Sequence, residues 1–218
     1  MLMKRSAMLM LAAAFALPGV VAAADESDGN LSADERAEMV TLLDDSLDMF
    51  MGLISGLTDE QWNFKQNEDR WSVGQCAEHI VRSERALLES AEAAMKNAAD
   101  ADWAEKTKGK ADLIRNVMPN RNPGGAGGAS APQEIRPTEE WSRAKVIQEY
   151  YKVRGEVRAF AETIAFEQPI KQHILEHPFP VFGDLSAYEW LIYVPLHTVR
   201  HSKQMTEVME DEGYPKGE

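Results

Sequence analysis

SAYEWLIYVPLHTVRHSKQMTEV, residues 186–208, reads as one long helix. Ser186 stands three residues before Glu189, the spacing at which a hydroxyl and a carboxylate satisfy each other's free amides at a helix start. Trp190, Val194, His197, His201 and Val208 follow at intervals that keep them on one face. Pro195 falls inside the run. It cannot donate a backbone hydrogen bond and crowds the carbonyl of Leu191, so a bend is expected one turn before His197. The helix should end near Asp211, ahead of Gly213, Tyr214 and Pro215.

Working outward, three more stretches carry the same period. Leu31 to Leu57 opens with Ser32 and Glu35 as a capping box and places Val40, Leu43, Leu47, Phe50, Ile54 and Leu57 on one stripe. Asp44, Asp45 and Asp48 fall off that stripe and should be solvated. Thr58 to Asn67 is a connection with room for one helical turn. Ser72 and Gln75 cap a second helix, preceded by Trp71, with a stripe through Val73, Cys76, Ile80, Leu87 and Ala91. It should fade near Asn97. His79 lies on this inward face, and Glu78 should point away from it. A third helix is expected from Pro137-Thr138-Glu139-Glu140, with Val146, Tyr150, Val153, Val157, Phe160 and Ile164 facing inward and Gly155 on the other side.

Residues 98–136 are irregular. Asp112 to Met118 fits a short helix, whereas Asn122 to Ser130, rich in glycine, has no period. A connection this long can cross a whole bundle, so the second and third helices are free to run parallel. Residues 166–185 read as a loop punctuated by proline and glycine. Four amphipathic helices and no convincing strand predict an all-α four-helix bundle.

The first 24 residues have a different character. Lys4 and Arg5 precede an apolar, alanine-rich run that ends in Ala22-Ala23-Ala24, the pattern of a cleavable export signal. The alternative is an uncleaved anchor, which Pro18-Gly19 disfavours by interrupting a run only just long enough to span a bilayer. No cysteine near the cleavage point offers a site for a lipid anchor. The expected location is therefore periplasmic or secreted, with no membrane attachment after cleavage. Residues 25–218 then form one domain, its core about 31–211.

The formal charge of the 218-residue chain is −13, which argues against nucleic acid or an anionic membrane as a partner. A small-molecule substrate and a homodimer both remain open. Cys76 is the one cysteine in the sequence. It cannot form an internal disulfide, so stability must come from the core.

The chemistry lies in the histidines. Four residues apart on a helix, His197 and His201 stand side by side at roughly 6 Å between Cβ atoms, a gap one metal ion can bridge. The pair alone also fits two surface or hydrogen-bonded core histidines. Its position on a buried stripe, with His79 on another, points further. Three unpaired imidazoles in one core would be costly, and metal ligation removes that cost. Three protein ligands leave a position open, as in catalytic sites. Imidazole ligation suits zinc, nickel, iron or copper without choosing among them.

His173 and His177 share the four-residue spacing but lie between prolines, outside any stripe, and read as loop residues. Gln204 is placed to orient His201 or a water. Arg200 could anchor an anion or pair with an acid. Cys76, one turn before His79, is a candidate fourth ligand or nucleophile, or simply a small buried residue. Glu78 is a candidate general base, and Tyr150 or Tyr151 could bring a hydroxyl to the site.

These residues also match a family pattern. Trp71-Ser72-Val73-Gly74-Gln75-Cys76-Ala77-Glu78-His79 resembles the Trp-Ser…His opening of the second helix in DinB-like proteins. His197-x-x-Arg200-His201-x-x-Gln204 resembles their C-terminal signature. The segment from His177-Pro178 through Phe182-Gly183 to Glu189-Trp190 is similar to its lead-in. The resemblance covers about residues 35–215. It implies an up-down-down-up four-helix bundle and a divalent metal (zinc, nickel or iron) on His79, His197 and His201. Some such proteins are thiol-dependent transferases or isomerases that use bacillithiol, mycothiol or glutathione. Many have no established activity. Export sets this chain apart, because such thiols are scarce and oxidisable outside the cytoplasm. A hydrolase-like reaction through a metal-activated water needs no cosubstrate and is the expected enzymatic function. The alternatives are thiol-dependent transfer and a non-catalytic metal- or ligand-binding bundle.

Overall fold

A computed structural model describes residues 28–120, 131–138 and 140–216. The expected export signal at residues 1–24 and the glycine-rich run Asn122 to Ser130 lie outside the described residues, as does Glu139.

The chain is all-α, as its periodicity predicts. Its long helices are α1 (Ala33–Ile54), α3 (Val73–Lys96), α6 (Arg143–Phe160) and α7 (Ala187–Met209). Short helices α2 (Asp59–Asn63), α4 (Trp103–Lys106) and α5 (Lys110–Val117) occupy the connections. Capping boxes are present at Ser32/Glu35, Ser72/Gln75 and Ser186/Glu189, with another at Thr58/Gln61 starting α2. Local chemistry therefore fixes the starts of α1, α3 and α7. Pro195 stays inside α7, which continues through it to Met209.

Two expectations need correction. Helix α6 begins at Arg143, capped by Ser142, not at Pro137. The residues before it are engaged elsewhere: the backbone amide and hydroxyl of Thr138 both donate to Glu78. Second, the loop at 166–185 contains a small antiparallel hairpin, β1 (Ile174–Glu176) with β2 (Asp184–Ser186), in the register Ile174↔Ser186 and Glu176↔Asp184. Its turn closes with the His177 amide donating to the Gly183 carbonyl at 2.8 Å, where Gly183 takes the left-handed φ of 59° that glycine tolerates. Three-residue strands are too short to show an alternating pattern.

Contacts between side chains give the helix directions. Arg70, before α3, reaches Glu207 near the end of α7, while Asn97, at the end of α3, donates to Ile174 shortly before α7. These two helices therefore run antiparallel. Helix α6 runs with α3, because Thr138, ahead of α6, meets Glu78, and Arg154 meets Glu84 further along both helices. It runs against α1: Arg154 reaches Leu43 and Ser46, and Tyr150 packs on Phe50 at 4.2 Å. Lys171 and Arg115 tie Glu35 and Glu38, at the start of α1, to Tyr188 at the start of α7.

The apolar interior has two parts. One gathers Met39, Leu43, Leu88, Ile114 and Leu191. The other gathers Phe50, Trp62, Cys76, Ile80, Tyr150 and Met205. Helix α7 is buried on nearly all sides from Ala187 to Thr198, the mark of a central helix. The stripes are slightly rotated from expectation. Met39 and Ser46, not Val40 and Leu47, are buried on α1, and Leu88 replaces Leu87 on α3. Asp44, Asp45, Asp48 and Gly155 are exposed as expected.

Polar residues lie along the helices between the two apolar parts. Glu84 and Arg154 form an ion pair with side chains 0% and 4% exposed. Arg154 also donates to the Leu43 carbonyl, Ser46 Oγ and the Tyr150 hydroxyl. Thr198 Oγ1 donates to Glu84 Oε1 at 2.6 Å. One buried pair thus links all four long helices, directly beside His197 in sequence.

Candidate metal centre

His79 comes from the second turn of α3, and His197 and His201 from successive turns of α7. Antiparallel packing brings the three rings together with centroids 4.4 Å apart for His79–His201 and His197–His201, and 5.2 Å for His79–His197. One potential ligand nitrogen from each lies within 4.8 Å of the others. The residues are 2%, 9% and 7% exposed.

Two rings are oriented by fixed oxygens. His79 Nδ1 lies 2.8 Å from the Ile135 carbonyl, and His201 Nδ1 lies 2.8 Å from Gln204 Oε1. A carbonyl oxygen only accepts, so each Nδ1 carries the proton and each Nε2 keeps a lone pair. Ring Nδ1 of His197 is buried with no hydrogen-bond partner. Trp71 packs 4.8 Å from His79 and 6.4 Å from His201. Tyr193 stands edge-on to His197 at 6.0 Å.

Burial keeps these imidazoles neutral. It pushes His79 down to about 4, only partly offset by the Ile135 hydrogen bond. His197 and His201 are held well below the usual histidine range, first by burial and then by the neighbouring histidines and Arg200. Neutral imidazole is the form that binds a metal. Two tautomers set by the Ile135 and Gln204 oxygens, an unsatisfied buried nitrogen and a donor set of three imidazoles together fit a divalent cation. The buried triad could hold one metal ion.

The remaining candidates sort by position. Gln204 acts on His201 as the spacing suggested. Arg200 donates to the Asn120 carbonyl at the edge of the crossover. Cys76 is fully buried in the apolar cluster with Ile80 and Phe50, and is not part of the histidine group. Tyr150 is core and donor-bonded by Arg154, whereas Tyr151 is 54% exposed.

Glu78 departs from expectation. It is 1% exposed, and its Oε1 accepts from Arg82 Nε and from the amide and hydroxyl of Thr138 at 2.8–2.9 Å. Its Oε1 is engaged by these three donors, and Glu78 is not part of the histidine group.

His177 sits in a loop as expected, yet it is buried and stacked on Trp190 at 4.8 Å and 17°. Its Nδ1 accepts from the Phe179 amide. Neither it nor His173, bonded to the Asn97 carbonyl, joins the triad. The Ile135 carbonyl was not visible in the sequence. A main-chain oxygen leaves no compositional signal.

Residues 42–205 match the family model described as the DinB superfamily. The uncharacterized protein YuaE of Bacillus subtilis (strain 168) is 25% identical over 158 residues, which span 72% of this chain and 88% of YuaE. No solved structure matches significantly. All three histidines fall inside the matched range, and the chain belongs to the DinB superfamily.

Proposed function

We propose that this chain is an exported metal protein in which His79, His197 and His201 hold one divalent cation, zinc, nickel or iron, and that it acts as a hydrolase on a small molecule. The convergence of three neutral, buried imidazoles from two helices carries this reading. A divalent ion held there would supply Lewis-acid polarisation and water activation. The chain's own residues do the rest. Ile135 and Gln204 keep the His79 and His201 rings turned with Nε2 inward. Trp71 and Tyr193 wall the site and exclude bulk water. The charge at the N-terminus and the apolar run to Ala24 support export. Among the described residues no helix is long and apolar enough to cross a membrane.

The low exposure of all three histidines favours a second reading, a bundle that binds metal without turnover. Metal analysis of untagged protein by mass spectrometry, beside His79→Ala, His197→Ala and His201→Ala, tests the centre. About one ion per chain, lost in each variant with helix content retained, is expected. Full metal retention in the variants, or no metal after incubation with zinc, nickel and iron, refutes the site. Cobalt substitution then separates the two readings. A visible spectrum that shifts on adding azide reports an exchangeable position, and an unresponsive spectrum supports the non-catalytic bundle.

A further inference from the structure

We infer that Glu78 is a positioning residue that fastens the crossover segment 131–138 to α3, and thereby fixes the orientation of the adjacent His79. For its role at a metal this rests on the reading above, but its structural half does not.

The crossover segment approaches α3 as a short 3₁₀ turn, Gln133–Ile135. Its last carbonyl, Ile135, accepts from His79 Nδ1 at 2.8 Å. Three residues later, Thr138 donates through both its amide and its hydroxyl to Glu78 Oε1, at 2.9 and 2.8 Å. The intervening Pro137 has a fixed φ, which stiffens the link between the two anchor points. Within the segment, Arg136 Nε donates to the Ala131 carbonyl at 2.7 Å, and Arg136 N donates to the Gln133 carbonyl. The turn is therefore braced internally and held to α3 at adjacent residues, Glu78 and His79.

Arg82, one turn along α3, donates to the same Glu78 oxygen at 2.8 Å and lies over the Trp141 ring at 5.0 Å. Glu78 thus collects the end of the crossover, α3 and the approach to α6 at one buried oxygen. A carboxylate accepting from a guanidinium and a backbone amide makes charge-assisted bonds, stronger than neutral ones. Without the latch, the Ile135 carbonyl has no fixed place. The His79 Nδ1 proton then keeps only the longer 3.4 Å contact with Ser83 Oγ, and the ring is freer to turn or to change tautomer. Loss of such an outer partner typically weakens metal affinity ~10–100-fold.

Two variants test this, Glu78→Ala and the milder Thr138→Val, with Thr138→Ser as the conservative rescue. The first readout is long-range proton–nitrogen NMR of the imidazoles in metal-free protein. Wild type and Thr138→Ser should show His79 with the proton on Nδ1 alone. Both Glu78→Ala and Thr138→Val should show mixed tautomers or a ring signal broadened by exchange. The second readout is zinc affinity by competition with a chromophoric chelator, expected to fall ~10–100-fold in Glu78→Ala, to fall by less in Thr138→Val, which keeps its amide bond to Glu78, and to recover to within about twofold of wild type in Thr138→Ser.

A merely structural role would lower the unfolding midpoint and leave the His79 tautomer and zinc affinity unchanged; that result overturns the inference. If Glu78→Ala does not fold, Thr138→Val decides alone. If wild-type protein binds no zinc, the metal reading fails, and the tautomer comparison still decides whether Glu78 positions His79.

Discussion

Replacing Arg154 by methionine should be among the most damaging single changes available to this fold. Methionine keeps the apolar stem and removes the guanidinium. The Glu84 carboxylate, 0% exposed, then retains the Thr198 hydroxyl at 2.6 Å but loses both donors from Arg154. The Leu43 carbonyl keeps the Ser46 hydroxyl at 3.2 Å, and the Tyr150 hydroxyl loses its donor. Breaking a buried ion pair from one side costs about 3–5 kcal/mol, because the surviving charge stays buried without its counterion. Against a total stability of about 5–15 kcal/mol this is a large fraction. At a urea slope of about 2–3 kcal/mol per M, a loss of about 4 kcal/mol lowers the unfolding midpoint by about 1.3–2 M.

The control removes both charges. Glu84→Met with Arg154→Met, in a Tyr150→Phe background so that no buried phenol is orphaned, should lie near wild type or above it, since apolar replacement of a buried pair is often neutral or stabilising. The assay is urea unfolding followed by circular dichroism, read as a double-mutant cycle in that background. A midpoint shift below about 0.4 M for Arg154→Met, about 1 kcal/mol at this slope, would refute the reasoning. It would mean that Glu84 finds water or another donor when Arg154 is gone.

Other outcomes follow from the same geometry. Gln204→Leu removes the acceptor that orients His201, and should weaken zinc binding ~10–100-fold at unchanged helix content; an unchanged competition titration would show that Gln204 does not orient the ligand. Burial holds His177 at about 4, below its ordinary 6.5, so between these values the unfolded chain binds the additional proton and folding stability falls as pH falls. The stabilisation is complete above about 6.5 and declines through that window by up to about 1.4 kcal/mol per pH unit, and His177→Phe should flatten the stability–pH curve by that contribution. Identical slopes in wild type and His177→Phe, from urea titrations at pH 7, 6, 5 and 4, would contradict the buried neutral imidazole.

The local part of this protein was legible because its signals are periodic or span only a few residues. The starts of α1, α3 and α7 were readable from hydroxyl and carboxylate or amide pairs three residues apart. His197 and His201 share a face because a helix returns to the same side every three or four residues. His79, placed by the same logic on α3, meets them once the helices pack. The sequence resemblance pointed to the DinB superfamily for the same reason, since its motifs lie on these helices. Helix α6 starts at Arg143 and not at Pro137, with Thr138 held by Glu78 ahead of it, a contact that local sequence does not signal.

What only the tertiary structure decided depends on partners distant along the chain. Glu78 meets Thr138 across 60 residues, Glu84 meets Arg154 across 70 and Thr198 across 114, and His79 meets a main-chain carbonyl 56 residues away. No periodicity connects such positions. In the sequence, Glu78 and Glu84 look like ordinary polar residues of an amphipathic helix, and burial becomes tolerable only when specific donors reach them. The sequence by itself determined the helices and the faces on which the histidines lie. Packing decided which acids enter the core and which oxygens orient the rings, because each polar group there needs a partner supplied from another helix or from the crossover.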